Sequence, residues 1–484
     1  MKKCIILISL LLAANSMGAK DFQASVFGIK SDGITMNTRS IQKAIDFIAQ
    51  NGGGELKFSV GRYLTGSVHL KSKVTINLSE GAILVGSTNP YDYDMENNTY
   101  ALILANGQDS IGIKGKGVID GCGRILANHF LDQVEKGIIK DDLKNDRVAN
   151  RPMLIYFRSC KNVNIQGITL TNPAFWTETY DQCENLRIDK ITVHSTAYWN
   201  NDGMDIVDCN GALITDCYVD ACDDAICLKS HAAQSVCQNI EVRRCVARSS
   251  ASGIKFGTAS LGGFKHIRII NNTVYDTFRS AITIQAVDGG VVDDIVVDSL
   301  RALNVGNPIY LNVAERRGIR SHMSNIHLSN IYAEVPAGKP DTGYEYEGPV
   351  EDNPRNISPS GIVGLSDSKI TNVSVKDVEI VCPGGGNSLY AKVGTDELDK
   401  VPEMRKAYPE FSQHKELPAW GFYVRHVDNI TFDRIKITAK KKDYRPAFVL
   451  DDVQHGSFQK ITVNEPDAKK KEQIYTYKST DIKR

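Results

Sequence analysis

The chain has 484 residues, 42% of them hydrophobic, enough to bury a large core, and length alone would permit two or three domains. Lys and Arg (57) balance Asp and Glu (57), giving a formal net charge of +0 and a pI near 7.1. No global field therefore draws the chain to nucleic acid or to an anionic membrane, and any charged partner must be read from local clusters.

The first residues, "MKKCIILISLLLAANSMGAKDF", place Lys2 and Lys3 before an apolar run from Ile5 to Ala14 and small residues ending at Ala19. This is the pattern of a secretory signal peptide over residues 1–19, with an apolar run too short to span a bilayer. Cys4 precedes the apolar run, where it does not read as a lipid-anchor cysteine. A periplasmic or secreted product is expected, with one domain over 20–484. Ten of the eleven cysteines follow this segment, and none forms a zinc-like CxxC pair. Cys217 and Cys245 read as buried thiols.

Ile41, Ala44, Ile45 and Ile48 recur at helical spacing after Asn37 and Thr38 and stop before "NGGG" at 51–54. This predicts a helix within a cap of about 20–72 that closes the N-terminal end of a stack of strands. "VTINLSEGAILVG" from Val74 and "IGIKGKGVIDG" from Ile111 then open a repeat. Its units are "VNIQGITL" from Val163, "LRIDKITV" from Leu186, "ALITDCYV" from Ala212, "IEVRRCVA" from Ile240, "IVVDSLRA" from Ile295, "IHLSNIYA" from Ile326, "VSVKDVEI" from Val373 and "ITFDRIKI" from Ile430. Each is apolar at offsets 0, 2, 5 and 7, and "IRIINNTV" from Ile267 departs only at Asn272. Each pair of apolar positions is a short strand with one face buried, and the shift of three between pairs marks a corner. From 163 to 326 the units recur every 23 to 31 residues or so, too short for βαβ units. They predict an all-β fold, a right-handed parallel β-helix whose rungs bury their apolar faces against one another. Stretches at about 336–360 and 383–420 read as loops inserted between rungs, able to wall a cleft. Lys469 to Lys471 read as a solvated end.

Aligning the rungs by their apolar pairs makes Met204/Ile206, Ile226/Leu228, Ile254/Phe256 and Ile282/Ile284 successive copies of one strand. Copies lie about 4.8 Å apart in such a fold. Asp202 then stacks near Asp224 with Asp223 beside them, provided the chain bends before Gly203 and Ala225. Adjacent carboxylates are either a solvated turn or an acid/base device, and three converging charges in a regular wall are costly without a purpose. Asp205, Cys227, Lys255 and Thr283 form one outward column, and Val207, Lys229, Gly257 and Gln285 the next. Trp176, one rung earlier, suits a sugar platform or a corner.

"WNNDGMDIVDC" and "ACDDAICLKS" resemble the NTDG(I/F)D and GDD motifs of glycoside hydrolase family 28, the polygalacturonase and rhamnogalacturonan hydrolase family. "NPAFWT" is similar to the family's NSPxWT stretch, and "SVFGIKSDGITMNTRSIQKAIDFIAQNGGGELKF" with "GRYLTGSVHLKSKVTINLSEGAILVGS" to its opening segment; the likeness runs from about residue 22 to about 330. The resemblance implies hydrolysis of an α-linked, usually pectic glycoside with inversion, without cofactor or metal. It makes Asp223 the general acid and gives Asp202 and Asp224 the attacking water. It also implies an acidic poly- or oligosaccharide as partner, and a monomer is expected.

Two departures bear on substrate. The family's GHG histidine falls at Ala251 or Ser252, and its RIK arginine and lysine fall at Thr283 and Gln285. Lys255 would then carry the substrate-facing cation one rung earlier, with Asp205, Lys229, Trp176 and Gln285 as further substrate contacts. Rhamnogalacturonan or a branched pectic fragment suits such a site better than plain polygalacturonan. A polysaccharide lyase and a non-catalytic glycan-binding solenoid are the alternatives.

Overall fold

The computed structural model describes residues 20–140, 151–341, 343–346, 356–467 and 472–484. The expected signal segment and Lys469 to Lys471 lie outside them. The strands wind as a right-handed parallel β-helix. Val163, Leu186, Ala212, Ile240, Ile267, Ile295, Ile326, Val373 and Ile430 pair in one unbroken parallel register, each facing its counterpart on the next rung. The first apolar position of every repeat is thus one stack of the core.

The corners have a uniform local cause. The residue before each of these positions has positive φ: Asn162, Asn185, Gly211, Asn239, His266, Asp294, Asn325, Asn372 and Asn429. So does the residue at offset four: Gly167, Lys190, Asp216, Arg244, Asn271, Ser299, Asn330, Asp377 and Arg434. One left-handed residue turns the strand, and after glycine Asn and Asp tolerate that conformation best. Asn272, the apolar-pattern exception, is buried; its Oδ1 accepts the Cys245 N–H at 2.8 Å and its Nδ2 donates to the Val242 carbonyl at 3.0 Å. Its polarity is therefore spent on the backbone. Cys217 and Cys245 are buried free thiols, and the ten cysteines among the described residues form no disulfide.

Helix α1, Thr38–Gln50, buries Ile41, Ala44, Ile45 and Ile48 completely and packs on the first rungs at Gly54–Phe58 and Val74–Leu78. Fully burying each isoleucine is worth about 1.5–3 kcal/mol. A second helix, α2 at Gly123–Glu135, was not anticipated, because its short stripe of Leu126, Ala127 and Phe130 is hard to tell from a rung's apolar pairs. The described parts of the two inserts pack on the solenoid wall. Residues 343–346 of the first reach Tyr198, Trp199 and Arg124 through Tyr346, while Tyr344 donates to Asp220. The second has its own small core, Leu398, Val401, Leu417 and Ala419 against Val363, Tyr423 and Val449.

Candidate active site

Strands Met204–Val207, Ile226–Ser230 and Ile254–Ser260 pair in parallel, and the last pairs with Ile282 to Ile284. Asp205, Cys227, Lys255 and Thr283 share one column on the face turned away from the core. The backbone bends at Gly203 and Ala225, immediately before the strands. A Cβ on Gly203 would lie 2.3 Å from Val219 Cγ1 and 2.5 Å from the Ala225 carbonyl oxygen, so the close approach of these neighbours requires glycine at this position. The bends let Asp202 and Asp224 join the outer face instead of the core.

There the carboxylates meet cations. Lys229 Nζ donates to Asp202 Oδ2 at 2.9 Å and also to Asp205 Oδ1. Lys255 Nζ donates to Asp224 Oδ2 at 2.9 Å, while Asp224 Oδ1 accepts the Ser252 N–H at 3.1 Å. Asp202, Asp224 and Cys227 bring one potential ligand atom each within 4.8 Å of one another. Both carboxylates already hold a lysine ammonium, so this spot carries its cations built in. Asp202, Asp205 and Asp224 are buried, whereas Asp223 is partly exposed.

The electrostatics separate the aspartates. Burial and then the neighbouring Asp224 push the Asp223 carboxyl above the ordinary range, against the pull of Arg279, Lys255 and Lys229. Burial would raise Asp224 too, but Lys255, Arg279 and Lys229 together bring it below the ordinary range. Burial raises Asp205 to about 6 against the pull of Lys229, and burial with the neighbouring Asp205, Asp223 and Asp224 pushes Asp202 well above the ordinary range although Lys229 opposes it. Two neighbouring carboxyls are thus pushed in opposite directions, Asp223 towards its protonated form and Asp224 towards its ionised form.

The expected substrate contacts divide. Trp176 is half-buried, stacked on Phe175, with Lys229 Nζ 4.2 Å from its ring centroid. Lys255 and Gln285, expected on an open face, are enclosed by the second insert. Lys255 is 1% exposed and Gln285 donates to the Pro409 carbonyl. Asp205 and Lys229 are likewise buried, each in the other's reach.

Three residues escaped sequence reading. Arg279 continues the column of Asn201, Asp223 and Ala251, as the backbone bonds from Asp223 N to Asn201 O and from Arg279 N to Ala251 O record. Extending the rung alignment by one residue would have found it. Glu410 comes from the second insert and contacts Lys255 Nζ at 3.5 Å and Arg279 at 3.1 Å, a pairing across 131 residues that no spacing signals. Glu178 points into the core, where it accepts the Tyr180 hydroxyl at 2.6 Å.

Fold and site together define a class: a right-handed parallel β-helix with a cluster of aspartates and lysines set in its outer wall. The chain belongs to the glycosyl hydrolases family 28, whose family model matches residues 52–336. It is 28% identical over 244 residues to an exo-poly-alpha-D-galacturonosidase of Dickeya chrysanthemi, covering 41% of this chain and 40% of that protein. It is also 28% identical over 326 residues to a probable polygalacturonase of Vitis vinifera, covering 61% of this chain and 63% of that one. The chain thus spans less than two thirds of the length of either relative. The family 28 exopolygalacturonase of Yersinia enterocolitica shares the fold at a TM-score of 0.61 and 19% identity, over 96% of this chain and 78% of that one.

Proposed function

We propose that the protein is a glycoside hydrolase that cleaves an α-linked pectic glycoside, with Asp223 as general acid and Asp224 as base. The observation that carries this reading is the contrast between those neighbours: Asp224 is buried against Lys255 Nζ at 2.9 Å and drawn below the ordinary carboxylate range, while Asp223 is partly exposed and pushed above it. Asp223 gives its proton to the glycosidic oxygen as the bond to the anomeric carbon breaks. Asp224 takes a proton from a water that Asp202 helps to orient, and the water oxygen bonds to that carbon with inversion. Membership of family 28 supports the substrate class. The absence of basic side chains at Thr283 and Gln285 favours a rhamnogalacturonan or branched pectic fragment over plain polygalacturonan.

The second insert covers Lys255, Gln285 and Tyr310, on the rungs that come after the aspartates. This favours attack at a chain end. Export of the product is expected from residues 1–19 as read in the sequence, and no helix among the described residues is long and apolar enough to cross a membrane. The test is incubation with a panel of defined pectic oligosaccharides, with NMR of the newly formed anomer. An inverted hemiacetal supports the reading; an unsaturated, ultraviolet-absorbing product would mean a lyase, and no cleavage would leave the glycan-binding alternative.

A further inference from the structure

Lys255 and Arg279 are the cations that face Asp224 from the next rungs, and both are closed off by residues 408–410. Glu410 Oε1 takes Lys255 Nζ at 3.5 Å and Arg279 Nη1 at 3.1 Å, and side-chain exposure across the three groups is between 1% and 7%. We propose that Glu410 is a specificity-determining residue: a carboxylate built into the wall that permanently neutralises Lys255 and Arg279, so that the sugar unit bound on that side of the aspartates carries no carboxylate.

This inference rests on the glycosidase reading and names a substrate feature that reading leaves open. Charge balance carries the first step. Asp224 and Glu410 together match the two cations, and a third carboxylate brought into this dry site would be desolvated without a partner. The anchoring of the insert carries the second. The Gln285 side chain holds the Pro409 carbonyl, Thr258 donates to the Tyr408 hydroxyl at 3.2 Å, and Phe411 packs on Tyr310 with centroids 6.3 Å apart. Arg405 ties the same segment to Glu315 at 3.0 Å and to Asp367 at 2.6 Å. These contacts fix Glu410 as a wall component rather than a displaceable plug. Finally, Glu410 Oε2 is buried with no hydrogen-bond partner among the described residues. An unpaired carboxylate oxygen held there adds negative potential that disfavours a second anion close by. Glu410 also lies beyond residues 52–336, so the family match does not assign it a role.

The experiment compares wild type with Glu410→Gln in two ways. In the first, both cleave matched oligosaccharides that differ in whether the unit on that side of the bond is a uronate or its carboxyl-reduced form. Wild type is expected to favour the reduced form by about tenfold or more in kcat/KM, and Glu410→Gln to lose most of that preference. In the second, calorimetry tracks D-galacturonate and D-galactose. Wild type is expected to bind galacturonate no better than galactose, while Glu410→Gln gains galacturonate binding that weakens with salt. A wild-type preference for the uronate form, or an unchanged ratio in the variant, overturns the proposal. So does wild-type galacturonate binding that Lys255→Met abolishes, a result that does not depend on the Glu410 variant folding. If wild type cleaves no pectic oligosaccharide, the glycosidase reading fails by itself, and the calorimetry still decides whether Glu410 excludes the anion.

Discussion

Asp223 and Asp224 are adjacent in the chain but sit in different surroundings: Asp224 is buried and receives Lys255 Nζ at 2.9 Å, while Asp223 is a partly exposed residue whose Oδ1 accepts the Asp224 N–H at 3.0 Å. A one-residue step along a bend separates a carboxylate that is salt-bridged to lysine from one for which no ion pair is seen among the described residues. The consequences for activity and stability are measurable.

Asp223→Asn should lower kcat by a factor of about 10² to 10⁴ on whichever pectic oligosaccharide is cleaved, because an amide of the same size cannot protonate the leaving oxygen. Binding of that oligosaccharide and the thermal midpoint should change little. Near wild-type turnover would remove Asp223 from the acid role.

Lys255→Met should move the acidic limb of the kcat/KM profile to higher pH. Burial alone would raise Asp224, and Lys255 is the first of the cations that overcome it. A base works only above its pKa, so activity is lost as pH falls through that value. Raising the value brings the loss nearer to neutrality. A pH profile with an unmoved acidic limb would show that Asp224 is not the base.

Glu178→Gln should flatten the pH dependence of stability. Burial raises the Glu178 carboxyl from 4.5 to about 8, with Tyr180 opposing and Asp205 reinforcing the shift. The folded protein therefore holds a proton that the unfolded chain releases, and this contribution is full below pH 4.5 and lost as pH rises to about 8. From pH 4.5 to 7 the variant should gain on wild type by about 3 kcal/mol, read from urea midpoints. Parallel curves would show that Glu178 is ionised in the core.

Asn272→Val would restore the apolar pattern of the other rungs, yet it should destabilise the fold by roughly 1–3 kcal/mol. It strips the Cys245 N–H of its buried acceptor and the Val242 carbonyl of a donor. Equal or greater stability in chemical denaturation would contradict that account.

Much of this was legible because a solenoid converts sequence spacing into spatial neighbourhood. The offset pattern located the core stack from Val163 to Ile430, and the alignment of Met204, Ile226 and Ile254 brought Asp202 beside Asp224 and set Asp205, Cys227 and Lys255 in one column. Arg279 was within reach of the same rule and missed by one column. Helix α2 was missed because its apolar stripe is too short to announce a period.

The sequence by itself determined the rungs, the capping helix α1 and the column in which each aspartate stands, since these depend on periodicity and on pairing between neighbours some two dozen residues apart. The tertiary structure alone decided which charges are free. Lys255 reads as an outward cation until the insert places Glu410 upon it, and that contact joins residues 155 positions apart through a loop whose path no repeat dictates. Burial and charge pairing depend on everything that packs around a group, and here the deciding partner came from outside the repeat.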